Sequence, residues 1–459
     1  MTVVEIILCC VFIGLTAWLL LKKVNPPTLL LAIGLVMIAV AAALGITPVG
    51  VEKGTGSVFF DLFKGVEEKF HHSIVRLGFM IMTIGGYVAL MNRIKATDAM
   101  VYLATRPLAF LKGKPYLAAV AVIPIGLLLY LPIPSASGLG LLLASTLYPI
   151  LIGLGVSRLT ALSVISAATM FDMGPGSANG LRASELIGMD LVEYFVGHQL
   201  FLVGLTTVVV MVAYYFTSRY YDRKDVAAGK PVYDDRVKSA QRPDVPLWFA
   251  VFPILPLVLL VVFSKYVGLF DTQINAAVAM LVCVAVVFVF LLLTQRNVRE
   301  SCQTLKSFWD GMGSVFSSVV TLIVAAEVFA VGLNSLDFIR LLVDGTTGLG
   351  LGAAAVTILM AATLFLSAVL MGSGNAAFFS FGPLIPGIAG MFGTSALAMI
   401  LPIQLCAGMG RSASPIAAVN VAIAGMTGVS PVDLALRNLI PMLAGAIALL
   451  TFHFIFNWQ

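Results

Sequence analysis

Two arginines stand where an arginine is costly. Arg411 lies in Gly408-Met409-Gly410-Arg411-Ser412-Ala413-Ser414-Pro415, and Arg182 closely follows Asp172-Met173-Gly174-Pro175-Gly176-Ser177-Ala178-Asn179, each within a long apolar stretch. A charge in such surroundings is expensive unless paired or hydrated, which makes it a functional candidate. A guanidinium fork also matches a carboxylate bidentately. Both stretches are interrupted by small residues, and so are two others, at Ser135-Ala136-Ser137-Gly138 and Gly372-Ser373-Gly374-Asn375. Ser137, Ser177, Ser373 and Ser412 are of a type that caps a new helix. A helix N-terminus offers free N–H donors and a partial positive charge. Four such ends aimed at one cavity would form an anion site, with Asn179 and Asn375 orienting a carboxylate. Carbonyls of the unwound segments could hold a cation. The expected binding set is therefore Ser137, Gly138, Ser177, Asn179, Arg182, Ser373, Gly374, Asn375, Arg411 and Ser412. Two cations plus helix dipoles suit a dianion better than a monoanion.

Each of these residues also has a plainer use. The breaks could simply let helices pack closely. Either arginine could form a structural salt bridge with Asp172 or Glu185. Asp172 could bind a cation or pair with an arginine, and Glu327 could couple to protons or be a buried structural carboxylate. Asp172 and Glu327 are the candidates for ion coupling. Histidines 71, 72, 198 and 453 lack metal-ligand spacing, and the five cysteines suggest no disulfide framework. No nucleophile elbow or phosphate-binding loop is visible, so the sequence points away from an enzyme. No cofactor is expected beyond possible coupling to sodium ions or protons. The net charge of +5 is spread over loops and needs no nucleic acid to explain it.

The elements that must position these residues are helices in a lipid bilayer. Of 459 residues 60% are hydrophobic and 11% charged, with a mean hydropathy of +1.04. Too little polar surface remains to cover a water-soluble fold. Apolar runs match the bilayer thickness and predict an all-α membrane protein with ten spans: 3–21, 28–46, 73–92, 157–189, 192–216, 247–263, 272–294, 310–333, 395–425 and 433–457. The first of these lacks the marks of a cleaved signal and is expected to be retained. Segments 116–155 and 351–393 are interrupted near their middles and are expected as re-entrant hairpins, a pair of ordinary spans being the alternative. Most of the 27 basic residues then fall on one side, which orients that side to the cytoplasm and both termini to the periplasm. Residues 217–246, rich in Arg, Lys, Asp and Pro, read as a cytoplasmic linker.

The linker separates two similar halves, 1–216 and 247–459. Sliding one onto the other brings Ser137-Gly138 onto Ser373-Gly374 and Gly176-Ser177 onto Arg411-Ser412, with Pro149 beside Pro386. Each half reads as three spans with a short amphipathic piece, a hairpin (116–155, 351–393), a broken helix (157–189, 395–425) and a last span. Five crossings per half would invert the second copy. Inverted repeats with matched interruptions are a transporter signature, and the interruptions mark the binding site. A sodium/proton antiporter, a carrier of another small organic anion and a channel are the competing readings.

At these breaks the sequence resembles a known family. Gly372-Ser373-Gly374-Asn375-Ala376, Gly410-Arg411-Ser412-Ala413-Ser414-Pro415, Ala424-Gly425-Met426 and Ser430-Pro431 resemble the DcuC family of anaerobic C4-dicarboxylate carriers, and Ser135 to Gly140 resembles that family's first hairpin tip. The resemblance runs along nearly the whole chain. It implies transport of succinate, fumarate, malate or aspartate by exchange, uptake or efflux across a bacterial inner membrane. It also implies the ion-transporter superfamily, whose members typically form homodimers and move substrate by elevator motion. The stretch Asp172 to Asn179 and Arg182 depart from the family's pattern and bear on the choice of substrate.

Overall fold

A computed structural model describes the chain except residues 1, 23, 47–50, 52–53, 231, 234–242, 265–266, 268–271 and 457–459. The described residues form helices joined by short turns, with no strand among them. Seven of these helices are long and apolar enough to cross a membrane. Two of the seven, Ala136–Gly153 and Ala353–Met371, fall within the segments expected as hairpins.

Three helices are longer than hydropathy alone indicates, two of them forming a pair. The span expected at 73–92 belongs to a continuous helix over 58–93, whose first turns expose Phe59, Phe60 and Phe63. The span expected at 310–333 belongs to Val298–Ser335, capped by Asn297, whose side chain accepts from the N–H groups of Arg299 and Glu300. Each contains one π-helical turn, at Ile74–Gly78 and Phe316–Val320, and these two turns touch. Helix Leu191–Ala227 runs well past the expected span end at 216, so the first turns of the expected linker are helical. No Pro or Gly interrupts Thr217 to Ala228, and Asp222 is buried against Arg437 at 2.6 Å, which anchors the extension. The expected linker residues 234–242 lie outside the described residues.

Both interrupted segments fold as helix–turn–helix pairs. Pro115–Tyr130 and Ala136–Gly153 enclose a turn with Pro132 and Pro134. Ala353–Met371 and Gly374–Phe381 enclose Gly372-Ser373, with Gly372 in the left-handed region at φ 72°. The two broken helices are Arg158–Ala167 with Ala178–Ile187, and Ala396–Ser412 with Ala418–Thr427. They cross at their breaks. A Cβ on Gly408 would lie 2.4 Å from the carbonyl oxygen of Met170, so only glycine fits there.

The two long helices also cross on glycine. A Cβ on Gly86 would come within 2.6 Å of the Phe308 carbonyl oxygen, and one on Gly311 within 2.6 Å of Ala89 Cβ. Without a driving force from water, helices in lipid associate by such close backbone approach. Gly86→Ala should therefore force the long helices apart, at a cost of about 1–3 kcal/mol. A lower unfolding temperature in detergent would show it, and an unchanged one would contradict the crossing.

Candidate substrate site

A cavity of about 830 Å³ lies between two groups of helices. The two long helices form one wall through Gly85, Asn92, Asp310, Gly311, Ser314 and Ser318. The other wall comes from the helix-pair turns and the breaks: Tyr130, Ser135 to Ser137, Asp172, Gly176, Ala178, Gly372 to Asn375, Arg411, Ala418 and Val419. Four helices thus begin at this cavity, at Ala136, Ala178, Gly374 and Ala418.

The caps of those helices differ from expectation in two places. Ser135, not Ser137, caps the first, accepting from Gly138 N at 3.2 Å. Leu131 still has helical angles and the N–H of Ile133 reaches back to the Leu129 carbonyl, so the chain turns through Pro132, and Ser135 is the extended residue that caps the next helix. Ser137 sits in the first turn and lines the cavity, while the N–H of Gly138 is taken by Ser135. Ser177 and Ser373 cap as expected, accepting from Gly180 N and Ala376 N at 3.1 Å each. Ser412 starts no helix: it ends Ala396–Ser412, and the next helix begins after Ala417 without a side-chain cap. Pro415 disfavours helix at Ser414 but not at Ser412, so the helix runs on to that residue.

Arg411 therefore occupies the last turn of a helix, where the carbonyl end favours a cation. It is buried, and its guanidinium has three identified contacts. Nη1 donates to Asp172 Oδ2 at 3.2 Å, Nη2 donates to the Thr169 carbonyl, and the group lies 5.9 Å from the centre of the Tyr130 ring. Its Nε is buried without a partner among the described residues. Asp172 is held in turn by the Ser177 hydroxyl at 2.9 Å and by Asn179 Nδ2 at 3.3 Å. Of the open alternatives, the structure pairs Asp172 with Arg411. Asn179 is fully buried behind Asp172 rather than at the cavity surface.

The unwound segments leave backbone groups that lipid cannot satisfy. Amides on neighbouring helices satisfy them. Gln199 Oε1 accepts from Gly174 N at 3.1 Å, and Gln404 Nε2 donates to the Asp172 carbonyl. Gln404 Oε1 accepts from both Gln199 Nε2 at 2.9 Å and the Tyr194 hydroxyl at 3.0 Å. At the second break the Ser412 carbonyl accepts from Asn420 Nδ2 at 3.0 Å and Asn438 Nδ2 at 2.8 Å. Ser412 is buried within this network. These amides were not singled out in the sequence, although a Gln or Asn inside an apolar helix signals such a partner.

Arg182 and Glu327 do not line this cavity. They meet at a separate one of about 320 Å³, where Arg182 Nη2 lies 2.8 Å from Glu327 Oε1 and Nη1 contacts Glu185. No group of His, Cys, Asp and Glu suited to a metal ion occurs among the described residues.

An all-helical membrane chain with broken helices gathered around an internal cavity has the architecture of a multi-pass transporter. Two solved structures share the fold. The Alcanivorax borkumensis YdaH transporter superposes with a TM-score of 0.63 at 14% identity, covering 94% of this chain and 98% of that one. Neisseria gonorrhoeae MtrF, described among antimetabolite efflux pumps, gives 0.65 at 14% identity over 94% and 95%. The sequence pattern of the family described as "C4-dicarboxylate anaerobic carrier" matches residues 4–456, and the chain belongs to this DcuC family of transporters. Among its relatives, the anaerobic C4-dicarboxylate transporter DcuC of Escherichia coli K12 is 28% identical over 97% of this chain and 95% of its own length. The probable DcuC transporter of Vibrio cholerae is 30% identical over 97% and 96%. The family is one of transporters, not of enzymes.

Replacing Gln404 by Leu would strand the buried donors of Gln199 and Tyr194 and leave the Asp172 carbonyl without its amide. Each unsatisfied group costs about 1–3 kcal/mol. Gln404→Leu should therefore lower the unfolding temperature in detergent far more than Leu at an exposed serine such as Ser145, and equal effects would disprove the network's role.

Proposed function

We propose that the chain is a secondary carrier of C4-dicarboxylates such as succinate, fumarate, malate or aspartate, working by exchange, uptake or efflux in a bacterial inner membrane. Arg411 carries the proposal. A buried guanidinium lines the large cavity, its Nε without a partner among the described residues, and four helices begin around it. One substrate carboxylate would take Arg411 from Asp172, which shares the same cavity wall and now occupies Nη1. The N–H groups at Gly374-Asn375 and Ala136-Ser137 would receive the second carboxylate. Ser177 and Asn179 hold Asp172, Ser412 sits in the supporting network, and Gly138 supports the first turn, so these four act behind the residues that touch substrate.

The helix order supports a larger scheme. The helix pairs are read as re-entrant hairpins, and the halves 1–216 and 247–459 as inverted five-span repeats giving ten spans, with both termini in the periplasm. Hairpins and broken helices would move together past the two long helices in an elevator motion, within a homodimer. A buried arginine at the cavity wall supports an anion carrier over a sodium/proton antiporter.

Labelled succinate counterflow in proteoliposomes tests the assignment, with fumarate, malate and aspartate as competitors. Arg411→Ala should weaken succinate binding about ten- to hundredfold, the worth of one charge-assisted hydrogen bond. Arg411→Lys should recover only part, since it keeps the charge and loses the fork. Unchanged affinity in Arg411→Ala would rule out the site.

A further inference from the structure

The second cavity carries an ion pair that links the two groups of helices. Arg182 stands on Ala178–Ile187, the second part of the first broken helix, while Glu327 stands on the long helix Val298–Ser335. Their contact is 2.8 Å, and both side chains are buried. Glu327 Oε2 also accepts from the Ser73 hydroxyl at 2.9 Å, and Ser73 directly precedes the π-helical turn of the other long helix. Glu327 is thus fixed to the long-helix group by a neutral hydroxyl and to the broken-helix group by a charge.

We propose that Glu327 is the proton-coupling carboxylate of this transporter and that Arg182 is its alternative partner. The proposal rests on the carrier function above and on relative movement of the two helix groups. Displacement of Ala178–Ile187 along the long helices takes Arg182 away from Glu327. The carboxylate then has only the Ser73 hydroxyl, and an unpaired buried charge is far costlier than a paired one. Binding one proton at a carboxylate oxygen removes the charge and lets Glu327 donate or accept to Ser73. Return of Arg182 expels that proton. Arg182 and the proton so compete for one site, each bound in a different arrangement of the helices, which is the requirement for coupling.

The surroundings suit this exchange. The cavity around the pair is open, which gives protons a path, and it is lined by Lys69, His72, Glu185 and Asn334 besides Arg182 and Glu327. Lys69 and His72 belong to the same long helix as Ser73, as do Glu68 and, three residues beyond Ser73, Arg76. Helix Pro26–Ala43, which packs closely on Glu327's helix, has no charged residue, and neither does the helix-pair segment Gly374–Phe381. The site is distinct from the substrate cavity, so occupancy of one does not sterically exclude occupancy of the other.

Two measurements test the proposal, one with substrate and one without. In proteoliposomes, an inwardly directed proton gradient should accelerate succinate uptake several-fold over equal pH in the unmodified protein. The ratio should fall to one in Glu327→Gln and remain above one in Glu327→Asp. A Glu327→Gln protein that keeps the full ratio overturns the proposal while leaving the succinate assignment intact. Without any substrate, infrared spectroscopy of the purified protein at neutral pH should show a protonated-carboxyl band in Arg182→Met that is missing from the Arg182→Met, Glu327→Gln double variant. Absence of that band from a monodisperse Arg182→Met protein also overturns the proposal, even if succinate proves not to be the cargo.

Discussion

A broken helix in an apolar environment must find partners for the backbone groups it frees, and that constraint organises this molecule. The two broken helices solve it with different groups. At the first, freed N–H and C=O groups meet the amides of Gln199 and Gln404. At the second, the Ser412 carbonyl is held by Asn420 and Asn438. Arg411 joins the two solutions, because it belongs to the second broken helix and donates to Thr169 and Asp172 of the first. The same guanidinium that could hold an anion therefore also ties the breaks to each other. The glycine contact at Gly408 against Met170 makes that proximity possible.

Much of this was legible in the sequence because the responsible residues are conspicuous there. An arginine inside an apolar run is too costly to persist without a partner or a task. Gly372-Ser373-Gly374 between two such runs favours a turn over a continuous helix. The limits were equally physical. Arg182 follows the Ser177 cap by five residues, and at 3.6 residues per turn it comes out well around the helix from the break. Proximity in sequence suggested one site, and helical rotation assigns the residue to another. Glu327 gave no sign of its partner, since that partner lies in the other half of the chain. The second break shifted because Pro415 acts on Ser414, the residue before it, and lets the helix run on to Ser412, and a Gly/Ser pattern alone does not separate which of Ser135 and Ser137 caps the first. Helix lengths were underread where polar residues continue a helix beyond its apolar part, as at Thr217 to Ala227.

The charges of the interior are divided in a way that composition conceals. Arg411 with Asp172, Arg182 with Glu327, and Arg437 with Asp222 form three buried pairs in three places. The first lines the large cavity. The second joins helix groups that otherwise belong to different walls. The third fastens helix Pro431–Phe456 to the extension of Leu191–Ala227, with Thr160 of the first broken helix also bonded to Asp222. A buried pair adds little net stability compared with apolar packing, but losing one member is costly. Each pair thus fixes which surfaces may meet.

The wall contributed by the long helices has a further property. Gly85, Ala89, Gly311, Ser314 and Ser318 give its middle little relief, and the larger apolar residues beside them, Ile81, Ile84, Val88, Val315 and Val319, are all branched at Cβ, with Asn92 and Asp310 as polar exceptions. Helices normally lock together because ridges of long side chains seat in grooves. A wall of small and β-branched residues offers few such teeth, so its corrugation is shallow. Under the proposed elevator motion, resistance to sliding would then be set less by shape than by the few polar contacts that cross between the two groups.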